Sequence, residues 1–168
     1  SDINDVNGTS ITSGNQDLIE ILDQIGGAGT FGFALVGGGA SGSARETNND
    51  SAKAFGGGAG GMALFAYEWN GSTAMQVNLG VGGAGSGTGN NVNFSGRAGT
   101  ASTFSINSSV NVTANPGTAG GAVNFTNNSL RESNNAGSVT WADGNDGATD
   151  FPIFQHTCLS GHGGAVNR

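Results

Sequence analysis

With 168 residues the chain is long enough for one domain, and a net charge of −7 with only five Lys and Arg argues against nucleic acid, because phosphate binding needs a basic face. A lone cysteine, Cys158, excludes any disulfide within the chain, and no stretch reads as a secretory leader or is long and apolar enough to insert into a bilayer. Glycine dominates at 33 residues, and each costs about 0.5–1 kcal/mol more than Ala in a regular element, so backbone hydrogen bonding, contacts between copies or loops left loose must offset that cost.

Residues 1–14 are polar and turn-rich, with only Ile3, Val6 and Ile11 to bury, and read as an arm. A helix is predicted next. Ser13 and Gln16 make a capping-box pair, Asp17 and Glu20 sit near the positive end of the dipole, and Gly26 closes the element. Leu18, Ile21, Leu22 and Ile25 fall at i, i+3, i+4 and i+7, one apolar stripe that either docks on the chain's own sheet or joins copies of the chain. This divides the chain into residues 1–29, an arm with an amphipathic helix, and 30–168, a glycine-rich β domain.

Residues 30–36 alternate Phe31, Phe33 and Leu35 with Gly32 and Ala34, a strand that stops at Gly37-Gly38-Gly39-Ala40-Ser41-Gly42. That run matches G-x-G-x-x-G, but the dinucleotide reading fails on context, since 46–51 is turn-like where a helix should follow and no ribose-binding acid ends a second parallel strand. A second glycine run, 56–61, leads into a strand at 62–69, and Asn70-Gly71 predicts a two-residue hairpin to a strand at 72–81. The strand at 62–69 is apolar on both faces, which places it between two layers or against another chain. Phe65, Tyr67 and Trp69, with Leu18, Ile21, Leu22 and Ile25, are therefore the candidate contacts between copies, and a homo-oligomer is expected, a trimer if the chain belongs to a fibre or spike.

Glycine returns over 82–99, after which 100–106 and 110–114 read as two strands joined at Asn107-Ser108-Ser109 and followed by a break at Asn115-Pro116-Gly117. Residues 122–126 and 137–142 are shorter strand candidates, and the tail from Phe151 has no clear period. The expected fold is all-β, a small glycine-rich β-sandwich or barrel with one short N-terminal helix. For the glycine runs two geometries stand open: extended threefold helices of the polyglycine-II kind, packed through main-chain hydrogen bonds, or tight turns in an ordinary sandwich.

A strand ending in a glycine run (Ala34 to Gly39), a polar insertion, a second glycine run entering a strand (Gly56 to Phe65), then Val77-Asn78-Leu79-Gly80-Val81-Gly82-Gly83-Ala84-Gly85, a polar loop and Gly99-Thr100-Ala101-Ser102-Thr103-Phe104 resemble the glycine-rich domain of bacteriophage tail-fibre and related virion proteins. The likeness covers about residues 30–121, with shorter glycine runs and more Asn than such domains carry. It implies a structural component of a virion with a role in host-surface attachment, and no catalytic residues. An extracellular filament, matrix or adhesive appendage at the cell surface is the alternative, since a doubly apolar strand beside a free arm also suits strand exchange between subunits.

Candidate chemistry is sparse. His156, Cys158 and His162 have a spacing that could surround a metal, yet no fourth ligand follows, and residues 143–150 have the oxygens and glycines of a calcium loop in the wrong order. The expectation is a non-enzyme with no cofactor or metal and no membrane insertion. Recognition is assigned to the insertions at 41–53 and 86–97, where Arg45, Asn48, Asn49, Asn90, Asn91 and Arg97 supply amide and guanidinium groups suited to a host-surface glycan or protein, with other virion proteins as further partners.

Overall fold

The computed structural model describes residues 3–4, 10–11, 14–17, 27–46, 52–85, 93–119, 136–141, 154–158 and 165–167. All regular elements among them are strands. In chain order these begin with β1 (Ile3–Asn4), β2 (Ser10–Ile11), β3 (Gly14–Asp17), β4 (Gly29–Val36), β5 (Ser43–Glu46), β6 (Ala52–Phe55) and β7 (Met62–Trp69). They continue with β8 (Met75–Leu79), β9 (Asn93–Phe94), β10 (Ser102–Ile106), β11 (Ser109–Ala114), β12 (Val139–Trp141), β13 (Phe154–Cys158) and β14 (Ala165–Asn167). Every pairing is antiparallel.

A three-stranded sheet, β13-β7-β4, faces a five-stranded sheet, β12-β11-β10-β8-β3, across the core. The alternation of β7 explains which face turns inward: Ala63, Phe65, Tyr67 and Trp69 are buried, while Met62, Leu64 and Ala66 on the opposite face are half-buried. From the other sheet Met75, Val77, Leu79, Phe104, Ile106, Val112 and Ala114 meet them. Aromatic rings make the centre of the contact. Phe104 lies with its centroid 5.0 Å from both Phe33 and Phe65, and Phe65 also meets the edge of Trp141 at 6.1 Å.

The predicted hairpin at Asn70-Gly71 does not form. β7 pairs with β4 and β13 and β8 with β10 and β3, so the chain crosses from one sheet to the other between them. Two strands that each carry a strongly apolar face bury more surface by facing each other than by lying side by side, and that non-local gain overrides the local turn signal. Gly71 alone takes a positive φ, 85°, and Asn70 instead acts through its side chain, whose Oδ1 accepts from the N–H groups of Ser72 and Thr73 at 2.8 Å each. Residues 72–74, expected as strand, belong to this connection.

The two-residue hairpin sits elsewhere. Asn107 and Ser108, with φ of 48° and 66°, join β10 to β11 with Ile106 opposite Ser109, the positive φ at both central positions that a type I′ turn requires. The register then shifts between Phe104 and Ser105, and Asn111 is the extra residue. Its buried side chain accepts from the Ile106 N–H at 2.9 Å.

The helix expected from the capping pattern also needs correction at its start. Gly14–Asp17 runs as β3 along β8, with Gly14 opposite Leu79 and Asp17 opposite Gln76. Pairing along the open edge of β8 bonds the main chain of alternate residues over this stretch, whereas a capping box satisfies only the first donors of a helix. The stripe Leu18, Ile21, Leu22 and Ile25 lies outside the described residues.

Candidate functional site

Beyond the facing sheets the strands run on as extended segments without ladder pairing: 37–42 after β4, 56–61 before β7, 80–85 after β8, 95–101 before β10, 115–119 after β11 and 136–138 before β12. Their hydrogen bonds recur every third residue. Gly37 and Ala40 donate to the carbonyls of Gly61 and Gly58 at 2.9 Å, and Gly38 and Ser41 donate to those of Thr100 and Arg97 at 2.9 and 2.8 Å. Gly58 and Gly61 in turn donate to Thr118 and Asn115 at 3.0 and 2.8 Å. The segment at 37–42 also accepts from Gly83 through Gly39 O and from Gly117 through Gly38 O, so it is bonded to four neighbouring segments. A β-strand has period two and at most two neighbours; this backbone has period three and more.

Glycine is required here by space. Among the described residues the glycines with positive φ are Gly27, Gly29 and Gly71, none of them in these segments, so turn geometry does not explain the runs. A Cβ would instead lie less than 3.0 Å from a neighbour's backbone: at Gly38 it meets Val81 O, at Gly60 Gly37 O, at Gly83 Arg97 O, at Gly117 Gly58 O and at Gly137 Asn115 O. The bundle is tied to the sheets below it by Ser102, whose buried hydroxyl donates to Val36 O at 2.6 Å and accepts from the Gly80 N–H at 2.9 Å.

Chain connectivity then decides what stands at the far end. The segment at 37–42 leads out of β4 into β5, the segment at 56–61 returns from β6 into β7, and β9 precedes the segment that enters β10. Both polar insertions thus leave the bundle at the end opposite the Asn107-Ser108 turn, and there they share one sheet, β14-β6-β5-β9. Arg45 of the first insertion stands opposite Asn93 of the second. Arg97 is exposed at the entrance, where its main-chain N–H donates to Ser41 Oγ at 2.8 Å.

Of the residues assigned to recognition, the structure brings Arg45 and Arg97 to this end, and Asn48, Asn49, Asn90 and Asn91 lie outside the described residues. Lys53 and Asn93, which lie inside the two insertions but were not singled out, and Asn167 belong to the same sheet. The signal for them is faint: Ser43-Ala44-Arg45-Glu46 and Ala52-Lys53-Ala54-Phe55 place a cation beside small residues, a weak strand pattern. The suggested contacts between copies Phe65, Tyr67 and Trp69 are at most 3% exposed inside this chain's own core and offer a second copy almost no surface, because the five-stranded sheet covers that face.

His156 and Cys158 fall on alternate residues of β13, opposite Leu64 and Met62, and His162 lies outside the described residues. Among the described residues no group of three or more His, Cys, Asp or Glu could hold a metal, and no helix is long and apolar enough to cross a membrane. No protein-family model, curated protein or solved structure matches the chain.

Proposed function

We propose that the chain is an attachment component of a virion, of the tail-fibre or spike type, in which a β-sandwich carries a polyglycine-II bundle and the bundle holds a small recognition sheet at its end. The observation that supports this most is the three-residue hydrogen-bond period, with each segment bonded to several others. At about 3.1 Å per residue, a six-residue segment such as 37–42 places the recognition sheet about 16 Å beyond the sandwich. A wall of bonded main chains is stiff, and the insertions fixed at its end can vary in sequence without disturbing it.

The test replaces residues 43–55 and 86–94, separately, by short Gly-Ser linkers. Attachment of the purified protein to host cells is expected to be lost by at least one variant while far-UV circular dichroism and melting temperature are retained. Unchanged attachment by both variants, or absence of the chain from purified particles by mass spectrometry, overturns the reading.

One observation favours a subunit of an extracellular filament or appendage as the second reading. Among the described residues β4 pairs only with β7, leaving eight residues, Gly29–Val36, as a sheet edge without Lys or Pro to guard it. Such an edge can accept a strand from another copy, which makes β4 the place where a homo-oligomer would form. Light scattering checks this: a Phe31→Pro variant that removes a ladder donor should lower the assembly state, and a monodisperse monomer of the unaltered chain excludes the filament.

A further inference from the structure

The outward face of the sheet β13-β7-β4 brings together three side chains of the kind that ligate soft metals. In β13, Thr157 turns toward the five-stranded sheet, where its Oγ1 accepts from the Trp141 indole N–H at 3.1 Å, so His156 and Cys158 on either side of it turn the other way. β7 divides in the same manner. Ala63, opposite Thr157, is buried in the core, and Met62, opposite Cys158, is half-buried on the outward face. Directly opposed residues of an antiparallel pair have Cβ atoms about 5 Å apart, and the diagonal neighbours, about 7–8 Å apart, remain within reach of aromatic and long side chains. Cys158 and Met62 are such an opposed pair, and His156, which stands opposite Leu64, is the diagonal neighbour of Met62 and the next residue along β13 on that face. The Cys158 thiol is free and half-buried, and His156 is exposed, so solvent reaches the group from one side. Half-buried Leu64 and Val36, the latter opposite Met62 on β4, flank it with apolar surface.

We infer that Met62, His156 and Cys158 form a binding site for a soft monovalent metal ion, copper(I). A thiolate and a thioether are the donors that select copper(I), and imidazole suits copper as well. Zinc draws instead on thiolate, imidazole and carboxylate and fills four positions in a structural site, so the two such donors here leave it half coordinated. The spacing of His156 and Cys158 supplies only part of the set; Met62 lies far from them in sequence, and the pairing of β13 with β7 brings it there. On binding, the ion takes the place of the thiol proton, which passes to solvent, and no electron is transferred. Two ligands belong to β13 and one to β7, so the bound ion ties these strands together in addition to their main-chain ladder. The site is on the sandwich rather than at the far end of the bundle and does not depend on the attachment reading.

The experiment sets the full chain, reduced and kept free of oxygen, in competition with bicinchoninate for copper(I), and reads its melting temperature with and without the ion. One ion per chain should bind, and the melting temperature should rise with the concentration of free copper(I), because the ion favours the folded state that assembles its ligands. Cys158→Ser should abolish binding. Met62→Leu and His156→Gln should each weaken it at least about tenfold, since losing a ligand costs no less than losing a group that only orients one. Both should leave the melting temperature of the metal-free protein nearly unchanged, Leu being close to Met in volume and His156 being exposed. If Met62→Leu melts early all the same, His156→Gln carries the test. Zinc, titrated in the same buffer, should bind with an affinity that Met62→Leu does not alter. Copper(I) binding that is absent, that brings no rise in melting temperature, or that survives His156→Gln or a stably folded Met62→Leu overturns the inference, because a thiol acting alone would give that result.

Discussion

The two ends of this molecule hold together by opposite means. In the sandwich, side chains carry the stability: Phe33, Phe65, Tyr67 and Phe104 form a connected cluster of rings, and the main chain is paired only within each sheet. In the bundle glycines let the backbones touch, and the main chain reaches out to neighbours on several sides. A core tolerates an exchange of one apolar residue for another of similar volume, because shape can be recovered by repacking. A bundle of touching backbones has nothing to repack, so one added methyl separates two segments that must be in contact.

That difference yields the largest expected effect. Gly60→Ala puts its methyl against Gly37 O, a backbone atom that cannot move without breaking the Gly37 to Gly61 bond, and should destabilise by more than about 4 kcal/mol or prevent folding, read by urea denaturation. Gly39→Ala is the internal control. Its Cβ has only Gly58 O nearby, at 3.9 Å, and should shift stability by no more than about 0.5 kcal/mol. Equal losses at the two positions would mean that close packing does not explain the glycines.

On the sandwich side, Phe104→Ala removes the ring shared by Phe33, Phe65 and Tyr67 and should cost about 3–5 kcal/mol. The restorative exchange Phe104→Leu should recover most of it, an outcome that no substitution at Gly60 can match. Between the two regions, Ser102→Ala leaves the Gly80 N–H and the Val36 carbonyl without their buried partner and should cost about 1–3 kcal/mol. If the ends unfold as separate units, this variant should split a single thermal transition into two. The smallest effect has the opposite sign: Ser108→Gly relieves a positive φ of 66° in the type I′ turn and should stabilise by about 0.4–1 kcal/mol, seen as a small rise in melting temperature.

What could be read from the residues divides along the same line. The strand at Met62–Trp69 is legible as a strand, but which face turns inward is not, because both faces are apolar and Phe65, Tyr67 and Trp69 read equally well as contacts with another copy. Which sheet the strand joins is not legible either, since Asn70-Gly71 serves a sheet-to-sheet crossing as well as a hairpin, and the choice rests on apolar faces far apart in sequence. The glycine bundle shows the limit more sharply. Nothing near Gly37 and Gly38 indicates that Gly61 and Asn115 adjoin the first and Thr100 and Val81 the second, so threefold packing and tight turns remain equal until the partners are known. β13 and β14 escaped notice for a different reason: each is short and takes its order from the strand it borders, β7 and β6, rather than from a pattern of its own.

A backbone bundle also has its own thermal character. Unfolding the sandwich exposes apolar surface and raises the heat capacity, whereas unfolding the bundle exposes mainly peptide groups, which lower it. Cooling therefore weakens the hydrophobic contribution in one half and leaves the hydrogen-bonded half nearly unaffected. The glycine segments are therefore the part of the molecule whose cohesion depends least on the hydrophobic term, and cooling should loosen the sandwich before it loosens them.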